Sequence, residues 1–137
     1  MKNHLIHRET VPTKSRSQMI DVTLRVQSLV TKAKVTDGYV IVYNPHTTAA
    51  VTINENADPD VQHDLLTKLA ELVPKHEKFY QHGEGNSDSH LKTAMLGNSA
   101  TVLIEEGQLV LGRWQGIYFC EFDGPRQREM LIKIVET

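Results

Sequence analysis

The chain has 137 residues, 39% of them hydrophobic, which suits one ordinary domain with a single core. Its 15 basic and 17 acidic residues give a formal charge of -2 with no long run of either sign, which excludes the basic footprint of a nucleic-acid binder or of a protein held on anionic lipid. No apolar run approaches the roughly 20 residues that cross a bilayer, and Met1-Lys2-Asn3-His4 opens into a polar-apolar alternation without the apolar segment of a signal peptide, so the expected setting is cytoplasmic.

Alternating segments from Leu5 to about Val11 and from Gln18 to Asp21 predict two strands, broken by Pro12. Asp21 or Thr23 then caps a helix running to about Lys34, although Ile20, Val22, Leu24 and Val26 also alternate as a strand would. After the Asp37-Gly38 turn, "YVIVYN" reads as a buried strand, and "AAVTIN" follows as another. Asp58 to Val73 is the clearest helix: Pro59 lies in its first turn, Leu65, Leu69 and Leu72 share an apolar face, and Pro74 ends it. His63 falls on the opposite face and His76 among charged neighbours, as solvated residues do. A short helix near Ser89 to Leu96 and the strands "TVLIEE", "LVLG", "IYFCEF" and "EMLIKIV" complete the chain. Cys120, the only cysteine, excludes an internal disulfide; it sits in an apolar strand with no flanking base, as a core thiol does. The order β-β-α-β-β-α-β-β-β, with few crossover helices, predicts an α+β domain with two to three helices and mainly antiparallel sheets in two packed faces.

The chemistry concentrates in "YQHGEGNSDSHLKTAMLG". Its glycines allow tight turns, and His90 falls just after a helix cap at Ser87 or Asp88, where free amide donors and the helix dipole favour an anion. His82 and His90 are two ligands of a metal site that usually takes three, and the third candidate is His46 in "NPHTTAAVTINENAD", in a loop between strands. Thr47 and Thr48 are hydroxyls suited to phosphate oxygens, and Glu55 and Asp58 are carboxylates that can orient a histidine, act as acid or base, or simply cap and turn. Arg126 and Arg128, after the Gly124-Pro125 turn, can clamp a phosphate or lie in a solvated turn.

The series "HTTAAVTINE", "DPDV", "YQHGEGN", "DSHLKTAMLGNS" and "GQLVLGRWQGIYFCEFDGPR" resembles the YjbQ-type family, often labelled secondary thiamine-phosphate synthase, from about Asp21 onward. The resemblance implies a seven-stranded, mainly antiparallel β-sandwich that forms a homotrimer, with a metal near the subunit boundary. The motif positions that it carries over are His46, Thr47, Thr48, Asn54, Glu55, His82, Asn86, His90, Lys92, Ser99, Trp114, Gln115, Asp123, Arg126 and Arg128. It also implies a transferase that joins a pyrimidine diphosphate to a thiazole phosphate and releases diphosphate. In that scheme His46, His82 and His90 hold a divalent metal; Thr47, Thr48, Asn86, Lys92, Arg126 and Arg128 hold substrate; and Glu55, Asp88 and His90 are catalytic. Histidine ligands favour zinc or another transition metal, whereas a diphosphate substrate also suits magnesium. Two other readings stand beside it. One is a metal-dependent hydrolase of a small phosphorylated metabolite with Glu55 or Asp88 as base. The other is a non-catalytic trimeric module binding metal and anion.

Overall fold

A computed structural model describes residues 5–137; residues 1–4, and with them the reading of Met1 to His4, lie outside it. Strands β1 (His7–Pro12) and β2 (Gln18–Asp21) precede helix α1 (Thr23–Ala33). Asp21 accepts from the Thr23 amide at 2.9 Å and from the Thr23 hydroxyl at 2.6 Å, so the carboxylate holds the start of α1 from just outside the helix. Strands β3 (Gly38–Tyr43) and β4 (Ala49–Glu55) follow, then helices α2 (Pro59–Leu72) and α3 (Ser87–Leu96), and strands β5 (Ser99–Glu105), β6 (Gln108–Leu109), β7 (Gln115–Glu121) and β8 (Gln127–Glu136). The α+β class is as expected. The described residues hold eight strands, one more than the resemblance implies; the shortest, β6, pairs with β5 through Gln108 and Leu109, so only the first residue of "LVLG" is strand.

The strands form an antiparallel five-stranded sheet, β1-β8-β3-β5-β6, and a three-stranded sheet, β2-β7-β4. The main core lies between them: Val40, Val42, Met130, Ile132 and Ile134 from one sheet meet Ala49, Val51, Ile117 and Phe119 from the other, with Val26 and Val30 of α1 closing one side. A smaller cluster, Ala50, Tyr118, Cys120 and Phe122, lies on the opposite face of the three-stranded sheet beneath α2 and α3. Period-two alternation separates the two clusters on β7. Burial pushes the Cys120 thiol up to about 12, consistent with core packing.

Helix α2 starts as expected, with Asp58 accepting from the Asp60 amide at 2.9 Å. None of its residues is fully buried; Leu66 and Leu69 pack on the smaller cluster, but Leu72, expected in the packed face, is 59% exposed. Helix α3 buries Asp88, Ser89, Lys92 and Thr93, a polar face in place of an apolar one.

Gly38 marks a close approach between β3 and β8, where an added Cβ would stand 1.9 Å from the Val135 carbonyl oxygen. Gly38→Ala should therefore destabilise the fold by about 1–3 kcal/mol, read as a lower urea midpoint; an unchanged midpoint would show that this strand pair yields without cost.

Candidate functional site

Opposed charges close one end of the sandwich. Alternation puts Glu121 on the inner face with Ile117 and Phe119, and puts Arg128 on the inner face of β8 with Met130, Ile132 and Ile134. The Arg128 guanidinium donates from Nε to Glu121 Oε1 at 2.8 Å and from Nη2 to Glu121 Oε2, and the carboxylate also accepts from the Thr13 hydroxyl at 2.8 Å and the Asp123 amide at 2.9 Å. Arg128 Nη2 further donates to the Thr48 hydroxyl at 2.7 Å and the Thr48 carbonyl at 3.1 Å, anchoring the loop between β3 and β4.

Above this pair opens a polar pocket of about 420 Å³ that His46, His82 and His90 all line, together with Thr47, Thr48, Glu84, Asn86, Asp123, Arg126 and Arg128. Arg126 is held by Asp123, through Nε to the carbonyl at 3.0 Å and Nη2 to Oδ2 at 3.0 Å. Asn86 donates from Nδ2 to Asp123 Oδ2 at 2.7 Å, and because a carboxylate only accepts, this bond fixes which way the carboxamide points. Its Oδ1 is left buried with no partner. Helix α3 brings Asn86 and His90 to one side at i, i+4 spacing, and the His82 and His90 rings meet edge to face with centroids 5.2 Å apart.

His46 is placed differently from a ligand. The Glu129 amide donates to its Nε2 at 2.9 Å, and an amide N–H has no other role available, so that nitrogen's lone pair is used and the ring proton resides on Nδ1. Burial, then the nearby Arg128 charge, pushes the imidazole below its ordinary value and keeps it neutral. Its second close contact, Glu129 O at 3.1 Å, is secondary to that bond. Among the described residues no group of three or more His, Cys, Asp or Glu side chains is arranged to hold a metal, so the three-histidine set is not assembled. The buried, unpartnered Asn86 Oδ1 lies in the same pocket as the His82 and His90 rings and would be a third lone-pair donor beside their nitrogens.

Three other expected site residues fall outside the pocket. Asp88 is fully buried in α3, bound by Arg16 Nη1 at 2.9 Å, Arg16 Nη2 at 3.0 Å and Lys92 Nζ at 3.0 Å. Burial alone would raise its carboxyl, but Arg16 and Lys92 outweigh burial and hold it down at about 2, which removes it as a base. Lys92 does not line the pocket; its ammonium is committed to Asp88 and lies 5.9 Å over the Phe122 ring. Glu55 ends β4 at the far side from Thr48, roughly 20 Å along the strand, beside Gln115 and close to Trp114. Arg16, Thr13, Glu84 and Glu121 are site or support residues that sequence reasoning missed. Only Glu121 carried a signal, as a charge inside the apolar run "IYFCEF".

A two-sheet α+β domain with a histidine- and arginine-lined pocket at one end of its core is therefore the class of protein in hand. The chain belongs to the YjbQ/UPF0047 family, whose description, UPF0047 protein YjbQ-like, matches residues 7–137. It is 47% identical over 131 residues to a UPF0047 protein of Methanocaldococcus jannaschii, covering 96% of this chain and 94% of that one. A YjbQ/UPF0047 crystal structure from Clostridium acetobutylicum superposes with a TM-score of 0.92 at 48% identity, covering 94% and 99% of the two chains. A YbjQ-like protein of unknown function from Sulfolobus solfataricus superposes at 0.93 with 29% identity, covering 98% and 99%. These relatives overturn the thiamine-phosphate synthase assignment: the family is one of unknown function, and membership brings no transferase reaction with it.

Proposed function

We propose that this chain is a binding module for a small phosphorylated metabolite, held jointly with a divalent transition metal in a cytoplasmic homotrimer. The observation that carries the reading is the single pocket lined by Arg126, Arg128 and His46 together with the His82–His90 pair and Asn86, whose buried Oδ1 has no partner. Charge makes the metal and the anion depend on each other. Arg126 and Arg128 contribute two positive charges, while Asp123, Glu121 and Glu84 contribute three negative ones, so a phosphate dianion gains little without an added cation. Imidazole donors favour zinc or a neighbouring transition metal over magnesium. Binding is favoured over hydrolysis because Asp88 is locked in its ion pairs and Glu55 lies at the other end of β4, leaving neither carboxylate as a base.

The trimer is supported by α2, which buries no residue completely within one chain and leaves Leu72 59% exposed, and by the apolar groove of about 310 Å³ beside it, lined by Leu65, Leu66, Leu69 and the 58% exposed Met95. Light scattering at micromolar concentration is expected to give three times the chain mass; a stable monomer would rule the assembly out.

The binding reading is tested by elemental analysis and calorimetry. Wild-type protein should take up about one zinc per chain, and methyl phosphate should bind only when zinc is present. His82→Ala and His90→Ala should lose the metal and the phosphate together while keeping the wild-type circular dichroism, since neither side chain is in a core cluster. Full metal content in both variants would remove the basis of the reading.

A further inference from the structure

A second cavity of about 560 Å³ adjoins the polar pocket, and His82 and His90 belong to the walls of both. The remaining wall is of different chemistry. Phe79 is 70% exposed and Leu91 44%, an aromatic side chain with most of its surface in water beside an aliphatic one with nearly half. The aromatic side is held in place: the Tyr80 hydroxyl donates to the Pro74 carbonyl at 2.8 Å, and the Phe79 and Tyr80 rings pack edge to face with centroids 5.0 Å apart at 74°. The imidazole pair, at 80° to each other, stands between the charged chamber and the apolar one.

We infer that the ligand is a phosphate monoester whose ester group is a flat, apolar ring. The phosphate occupies the chamber of Arg126, Arg128 and His46, and the ring passes the His82–His90 pair and lies against Phe79 and Leu91. This rests on the binding function proposed above and narrows it to a ligand class. A bare phosphate would leave the apolar chamber unfilled, and a purely apolar ligand would leave the polar one, lined by His46, Arg126 and Arg128, unfilled. The shared imidazole walls make one molecule spanning both chambers the simplest occupant.

The test compares methyl phosphate with phenyl phosphate, two dianions that differ in the ester group, by calorimetry on the full zinc-loaded chain. Phenyl phosphate should bind about tenfold tighter, the scale of burying one ring face against apolar side chains. Phe79→Ala should remove most of that preference and leave methyl phosphate binding unchanged; as an exposed side chain, Phe79 carries little of the fold. Equal affinities in the wild type would overturn the inference while the phosphate site stood. Binding of neither ester would overturn the phosphate reading and the inference with it. A Phe79→Ala protein that changes its oligomeric state yet keeps the ring preference would assign the groove to contact between copies and also overturn the inference.

Discussion

Replacing Asp88 with alanine is expected to cost about 3–5 kcal/mol of folding stability, because removing one partner of a buried ion pair leaves the other charge uncompensated. Lys92 is 4% exposed and would keep its ammonium in a site from which its carboxylate partner is gone, while Arg16 would lose both of its bonds to Asp88. Asp88→Asn keeps the shape and removes the charge, so a similar loss in both variants assigns the effect to electrostatics rather than to a cavity. The carboxyl also sets a dependence on pH. It is held at about 2 in the folded chain against 3.8 ordinarily, so its contribution is fully present above about pH 4 and is lost as pH falls toward 2. That contribution is about 2 kcal/mol by linkage. Urea midpoints followed from pH 7 to pH 2 should fall more steeply in wild type than in Asp88→Asn; parallel curves would show that the triad does not hold the fold.

This triad also shows where the sequence stopped being informative. Strands β3, β4, β7 and β8 were legible because β-branched and aromatic residues alternate or run together between turn residues, and α2 was legible from Pro59, Asp58 and its leucine spacing. The buried face of α3 is Asp88, Ser89, Lys92 and Thr93, so an apolar period could not reveal that side, and "DSHLK" read as a pocket wall when three of its five residues face inward. Arg16 lies in the polar loop between β1 and β2, 72 positions from Asp88, and local spacing carries no trace of such a partner. The histidines were legible as a group, since all three line one pocket, but not in their roles. His46 is decided by the Glu129 amide, a backbone contact 83 positions away that no side-chain pattern records. Glu55 failed for a simpler reason: it shares a strand with the loop that carries His46, and the strand's length separates them.

The second large effect concerns Arg128 and Glu121, and it separates holding the fold from holding a ligand. Arg128→Met alone strands the fully buried Glu121 carboxylate with the Thr13 hydroxyl and the Asp123 amide as its remaining donors, and Glu121→Leu alone strands the guanidinium; each should cost about 3–5 kcal/mol. Burial alone would raise the Glu121 carboxyl, but its bonds from Arg128, Asp123 and Thr13 bring it below its ordinary value, so acid weakens this pair in the same direction as Asp88. The double variant Glu121→Leu/Arg128→Met removes both charges together and places two apolar side chains at the end of a core already built from Ile117, Phe119, Met130 and Ile132. Its urea midpoint should return close to that of wild type, since an apolar replacement of a buried pair is often neutral or stabilising. Phosphate binding should not return with it. The pocket would have lost a charged donor and the anchor of Thr48, and methyl phosphate affinity should stay at least about tenfold weaker, the scale of one hydrogen bond to a charged group. A double variant that regains both stability and phosphate affinity would show that Arg128 serves the core alone and that Arg126, His46 and the metal suffice for the anion.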